Sequence, residues 1–325
     1  MTSKGVGMSV PDWPTTYGYN MFFFPISKWV GGVFWEHSHR LTASAVGFMT
    51  VILTVWLWLK ESRAWMRWLG VAALFGVIAQ GVLGGLRVTL YKDELGIFHA
   101  TLAQLFLVLV SSIALFSARW WVNAESREAP VPDQFRLRHL YLAVAGCIFL
   151  QLILGATMRH QHAGLAIPDF PTAYGKVWPD MNPAAIEHYN QNRGETVALN
   201  PITAFQIVLQ MVHRVMALVI FLGVAIVAWL TRRQLGWRSR LTKLAMSWFG
   251  LLCLQVVLGA ATIWSNKSAD IATTHVAVGA LSLLNGAILF LAGTRCLKRA
   301  ETVGTSGKRH RTMGDLPNSG VKVPA

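Results

Sequence analysis

Seven apolar runs, each about as long as a helix needs to cross a lipid bilayer, constrain this chain more than any other feature. They fall near 39–59, 66–88, 98–118, 139–158, 206–230, 242–264 and 272–293. Period-two alternation is absent from them, and an open-ended backbone satisfies its polar groups in lipid only as helix. A chain that is 54% hydrophobic and only 14% charged carries more apolar surface than one soluble core of this length can hide. The expected fold class is an all-α integral membrane protein with seven transmembrane helices.

A formal charge of +14 invites a nucleic-acid partner, but its distribution argues for a membrane. Lys60, Arg63 and Arg67, then Arg119 to Arg138, then "TRRQLGWRSRLTK", then the tail from Arg295 all lie in alternate connections. The intervening connections, such as "YKDELGI" and "WSNKSAD", are short and nearly neutral. The positive-inside rule puts the first set in the cytoplasm and residues 1–35 and 159–205 outside. Cys147, Cys253 and Cys296 lie in two predicted helices and at the inner end of the last, away from any outer-face disulfide. The first residues show neither a cleavable signal nor an Arg-rich transit pattern. The last 30 residues, polar and rich in Gly, Lys and Arg, are expected to be a disordered inner tail.

The chain repeats itself. "MTSKGVGMSVPDWPTTYG" at Met1 returns as "MRHQHAGLAIPDFPTAYG" at Met158, "EHSHRL" at Glu36 as "QMVHRV" at Gln210, and "AQGVLGG" at Ala79 as "LQVVLGA" at Leu254. "IFHATLAQL" at Ile97 is echoed more loosely by "TTHVAVGAL" at Thr273. The order is the same in both halves, which chance likeness of apolar helices does not give. The expectation is two parallel four-helix repeats related by an axis along the membrane normal, the first lacking its first helix. The chain then divides into a first repeat at 1–118, a cytoplasmic linker at 119–138, a second repeat at 139–293 and the tail at 294–325.

Four histidines stand at one depth. His39, His99, His213 and His275 each lie about 20 residues, one membrane thickness, from the cytoplasmic cation that ends their helix. They occupy helices that run in the same direction and are diagonal neighbours in an up-down bundle, so each half can aim two imidazoles across its core. One histidine at a membrane boundary is an ordinary interfacial residue; two repeat-related pairs at equal depth point to function. No cysteine cluster or paired Glu-x-x-His carboxylates accompany them, which argues against zinc, iron–sulfur and di-iron sites. Opposed neutral imidazoles in an apolar cavity suit a six-coordinate haem iron. His37, about 200° round the helix from His39, and His139, His160, His162, His188 and His310 are expected to be solvated.

The halves differ at one position: Glu36 stands three residues before His39, and its counterpart before His213 is Gln210. Residues i and i+3 share a helix face, which would set Glu36 beside whatever His39 binds and suggests one reacting site and one supporting site. A glutamate favoured by the helix dipole is the plainer alternative. Arg40 and Arg214, adjacent to two of the histidines, and Arg87 and Arg159, at outer helix ends, are candidate partners for haem propionates or simple interfacial anchors. The Gln80, Gln151 and Gln255 positions of a recurring Gln-x-x-Leu-Gly are expected to serve helix packing.

"EHSHR" with "GIFHATLAQ", "QMVHR" with "TTHVAVG", and the outer "PDWPTTYG" and "PDFPTAYG" segments together resemble the heme A synthase family over nearly the whole chain. The resemblance implies an eight-helix enzyme of the bacterial cytoplasmic membrane that oxidises the C8 methyl of heme O to the formyl group of heme A, for terminal oxidase assembly. It implies His39 and His99 as ligands of substrate heme O, Glu36 as the acid/base or charge-stabilising group, and His213 and His275 as ligands of a resident heme b. A heme O synthase would supply the substrate, a separate acceptor would take the electrons, and association into homo-oligomers is compatible with this scheme. The cysteine pair that some members carry in the first outer loop is absent here. The rival readings are a di-haem cytochrome b-like electron carrier, which would need no glutamate beside one haem, and a haem transporter.

Overall fold

The structure, a computed structural model, describes residues 9–122, 134–193 and 201–297. Among these it contains α1 (Gly31–Lys60), α2 (Ala64–Leu90), α3 (Asp93–Ser117), α4 (Arg119–Val122), α5 (Gln134–His160), α6 (Pro183–Gln191), α7 (Ala204–Leu235), α8 (Arg240–Trp264) and α9 (Ala269–Cys296), and no strand. Seven of them, all but α4 and α6, are long and apolar enough to span a membrane. This is the all-helical membrane protein that the apolar runs require.

Several helices extend beyond their apolar stretch. The first starts at Gly31 rather than near 39, because the polar residues that lower its hydropathy are buried under an outer loop and need no water. The third starts at Asp93 rather than near 98, with Asp93 and Glu94 in its first turn, where carboxylates complement the helix dipole. The seventh opens on a capping box between Thr203 and Gln206, each side chain satisfying a backbone N–H of the other end. The long outer connection also folds. Asn182 caps α6 by accepting the Ala185 N–H, with Pro183 in the first turn, a combination that needs no apolar periodicity to start a helix. Most of the expected linker and all but the first residues of the expected tail lie outside the described residues, as does the segment around Met1.

Helix α5 packs on α7 and α9, and α8 packs on the same two, so these four close into a ring with α7 and α9 on one diagonal. α1 packs on α2, α2 on α3, and α3 reaches the ring through α5 and α9. In lipid, helix association depends on close packing and on hydrogen bonds between helices rather than on hydrophobic burial. The ring shows both. The indole of Trp248 lies on Gly286, where an added Cβ would stand 2.5 Å from the ring. Tyr141 Oη and Thr231 Oγ1, on α5 and α7, are 2.8 Å apart. Between α1 and α2, Thr54 Oγ1 donates to the Gly70 carbonyl at 2.9 Å.

Candidate functional site

The ring places His213 on α7 and His275 on α9 across its diagonal, with His275 inside electrostatic range of His213. His39 on α1 and His99 on α3 are in the same relation. His39 is exposed, and the other three are partly buried. The Nδ1 atoms of His99, His213 and His275 are buried with no hydrogen-bond partner among the described residues.

Each of these three imidazoles faces a Gln-x-x-Leu-Gly segment on the preceding helix. Gln80 Nε2 donates to the His99 carbonyl at 2.9 Å, and Gln151 Nε2 to the His213 carbonyl at 2.9 Å. Gln255 Nε2 lies 3.4 Å from Nε2 of His275 itself. One turn on, a Cβ added at Gly84, Gly155 or Gly259 would meet Cε1 of the facing histidine at 3.3, 3.5 or 3.2 Å. The motif, expected only to pack helices, is directed at the imidazoles.

The outer loops have one local design used twice. Asp12 accepts from Tyr17 N at 2.8 Å and Gly18 N at 2.9 Å, and Asp169 from Tyr174 N at 2.7 Å and Gly175 N at 2.9 Å. Thr15 and Thr172 add hydroxyl donors to the same carboxylates. Tyr17 and Gly18, like Tyr174 and Gly175, have positive φ, as a type I′ turn demands, and each turn closes a single bridge, Thr16 to Tyr19 and Ala173 to Lys176. Burial pushes the two carboxyls up, but the donors outweigh it and hold both below the ordinary aspartate range. Tyr17 and Tyr174 donate to the carbonyls of Ser9 and Ala166. Burial pushes the Tyr174 phenol up to about 12.

These loops are fastened to the histidine helices. Arg40, next to His39, donates to the carbonyls of Asp12 at 2.7 Å, Thr15 at 2.9 Å and Val10 at 3.0 Å. Arg214, next to His213, donates to those of Thr172 at 2.8 Å and Asp169 at 2.7 Å. Glu36 and Gln210 complete the fastening. Glu36 is 2% exposed, pairs with Arg40 through Oε1 at 2.9 Å and accepts Val10 N through Oε2 at 3.1 Å. Gln210 accepts Ile167 N at 2.6 Å and donates to the Ile167 and Gly164 carbonyls.

Glu36 and His39 stand three residues apart on α1, with Glu36 within electrostatic reach of His39. They differ in burial: the carboxylate is held under the loop by Arg40 at i+4, whereas His39 is exposed. Arg40 and Arg214, expected as propionate candidates, spend these N–H donors on loop carbonyls.

Two histidines expected to be solvated are buried instead. His37 is fully buried, with Nδ1 3.2 Å from Thr16 Oγ1 and its ring against Phe24 and Trp29. His160 is 6% exposed and faces Asp93 at 3.4 Å. Its ring lies over Gly96, with Arg87 against the same glycine. Arg87 and Arg159, the other two propionate candidates, are near enough to sense each other's charge, and Arg159 Nε is buried without a partner. Arg87 is also within electrostatic range of His39 and His99.

Among the described residues no three His, Cys, Asp or Glu side chains converge as a protein-only metal site needs. Imidazoles in pairs, three of the four with an orphaned Nδ1 and a glycine against the ring edge, fit a metal that brings its own equatorial ligands, and a haem does so. Fold and site together define an all-helical, multi-span membrane protein carrying two pairs of histidines on its spanning helices, near loops fastened to those helices. The chain belongs to the cytochrome oxidase assembly protein family, whose model matches residues 2–286. It is 26% identical over 260 residues to the heme A synthase of Lysinibacillus sphaericus (strain C3-41), covering 79% of this chain and 76% of that protein. It is 24% identical over 302 residues to the heme A synthase of Alkalihalophilus pseudofirmus, covering 89% and 88%. To that of Rhizorhabdus wittichii it is 30% identical over 264 residues, covering 77% and 68%.

Proposed function

We propose that this protein is a heme A synthase that oxidises the C8 methyl of heme O to a formyl group in the bacterial cytoplasmic membrane, with both haem sites near the outer face. The observation that carries this is the double pair of imidazoles on the spanning helices, in a chain whose relatives are heme A synthases. His39 and His99 hold substrate heme O. His213 and His275 hold a resident heme b, which supplies a one-electron relay when bound.

The protein's own groups have separate tasks. Oxidising a methyl to an aldehyde passes through an electron-poor carbon, and a fixed negative charge nearby lowers that barrier. Glu36 supplies the charge from its fastened position: both oxygens already accept hydrogen bonds, which favours charge stabilisation over direct proton transfer. Arg87 and Arg159 remain as propionate partners; Arg40 and Arg214 hold the loops that keep bulk water from the outer mouths. A heme O synthase delivers the substrate; water supplies the formyl oxygen, its protons and those of the methyl leave to solvent, and a separate acceptor takes the four electrons of R–CH3 + H2O → R–CHO + 4 H+ + 4 e−.

The test is production of the haem itself. Expressed in a host that makes heme O but not heme A, the protein should yield heme A on extraction and chromatography, and should purify with heme b. Purification with heme b alone, and no heme A in the host, would favour an electron carrier.

A further inference from the structure

We propose that the Gln-x-x-Leu-Gly segments at Gln80–Gly84, Gln151–Gly155 and Gln255–Gly259 are positioning elements that set the ring orientation of His99, His213 and His275. This rests on the haem reading of the two histidine pairs.

A metal-bound histidine is ordinarily oriented by the hydrogen bond its other ring nitrogen makes to a carboxylate, a carbonyl or water. Here Nδ1 of all three residues is buried and meets no such partner. If Nε2 of His99 and of His213 holds the iron, no protein hydrogen bond fixes those ring planes and packing must; at His275 the amide of Gln255, 3.4 Å from Nε2, stands beside the packing. The atoms that do this belong to the glycines, whose own backbone lies against Cε1 of each ring. A Cβ there would stand 3.3 Å from His99 and 3.2 Å from His275, inside the roughly 3.5–4.0 Å at which carbon atoms attract best, and 3.5 Å from His213, in ordinary contact. At Gly84 and Gly259 any larger residue therefore turns or displaces the ring by a few tenths of an ångström, whereas at Gly155 the ring already rests at contact distance.

The glutamines set the other coordinate. Gln80 and Gln151 hold the backbone of the ligand residue, through the carbonyls of His99 and His213 at 2.9 Å each, and so fix the height of the histidine helix against its neighbour. Gln and Gly are four residues apart and share one helix face, so a single stripe governs both the height and the rotation of the imidazole. The angle between two axial imidazole planes sets the ligand field at a low-spin ferric iron, and with it the anisotropy of its paramagnetic resonance and part of its potential. These segments tune the haems without touching iron or substrate.

The test uses full-length purified protein and the resident haem, read by electron paramagnetic resonance and redox titration. Gly259→Ala should keep the bis-imidazole visible spectrum, shift the largest g value and the midpoint potential, and speed haem loss to an excess of apomyoglobin by about tenfold, the scale of mild overpacking. Gly250→Ala, on the same helix with open space at the added methyl, should match wild type in all three. Gln151→Leu adds no such methyl and should move the same signals, which covers the case in which the Gly variant does not fold. Signals from Gly259→Ala or Gln151→Leu that superimpose on wild type, with haem bound, would overturn the proposal. Wild-type protein that binds no bis-imidazole haem would overturn the haem reading instead.

Discussion

Glu36→Gln separates the two tasks the structure gives to one carboxylate. The amide keeps an oxygen to accept Val10 N, as Gln210 accepts Ile167 N at 2.6 Å, so the loop should stay fastened. What is lost is the charge opposite Arg40, whose side chain is 9% exposed. Breaking a buried ion pair can cost about 3–5 kcal/mol when a charge is left stranded. Arg40 is not stranded, since three loop carbonyls remain within 3.0 Å, and Arg214 already lives on two carbonyls beside a glutamine. The expected loss of stability is therefore about 1.5–3 kcal/mol, the scale of a hydrogen bond to a charged group.

Heme A formation should fall by about 10²-fold or more, the scale of removing a charge-stabilising group. The assay compares wild type and variant in the heme O host, with haems extracted and separated, and with thermal melting and loop proteolysis on the purified proteins. Wild-type heme A from a stably folded Glu36→Gln would refute the chemical task and leave the glutamate as a loop fastener alone.

Other outcomes follow from the same geometry. His213→Ala/His275→Ala should purify without the low-spin heme b signal, and an unchanged bis-imidazole spectrum would remove the assignment. Arg214→Ala strips two donors from the second outer loop and should make its 166–193 segment more protease-sensitive while the visible spectrum persists; unchanged cleavage would contradict the fastening. Gly286→Ala drives a methyl into Trp248 and should destabilise the ring by about 1–3 kcal/mol, seen as a lower melting temperature in detergent. Asp12 and Asp169 have folded pKa values below the ordinary one, so their stabilisation is complete above the unfolded value near 3.9 and is lost only as pH falls through the lower folded value. Loop proteolysis with an acid-active protease should accordingly stay flat down to about pH 4 and rise below it, and Asp169→Asn should abolish that rise for the second loop.

The helices were legible because each apolar run has one structural solution in lipid, and the approach of His99 to His39 and of His213 to His275 because the repeat sets each pair on helices that run the same way. The start of α1 was not, since hydropathy registers Glu36, His37 and Arg40 as polar without knowing that a loop covers them. For the same reason His37 and His160 read as solvated. Their partners, Thr16 for one and Asp93 with Gly96 for the other, are far off in the chain. The short outer helix was missed because its signal is a cap and a proline rather than a period. The Gln-x-x-Leu-Gly motif does the helix packing expected of it, through Gln80 and Gln151 onto the carbonyls of His99 and His213, but the side chains it meets were not legible. Spacing reveals a helix face, and only the neighbour's position tells which imidazole that face meets. The arginine that follows His39 and His213 was a visible clue to the loops, for each stands opposite a copy of the same Pro-Asp-aromatic-Pro segment.

Arg40 and Arg214 are joined to His39 and His213 by a single peptide bond, and their guanidinium groups are held in the outer loops. Loop and histidine are thus one mechanical part: any displacement of a loop that carries its arginine along also loads the peptide bond beside the imidazole.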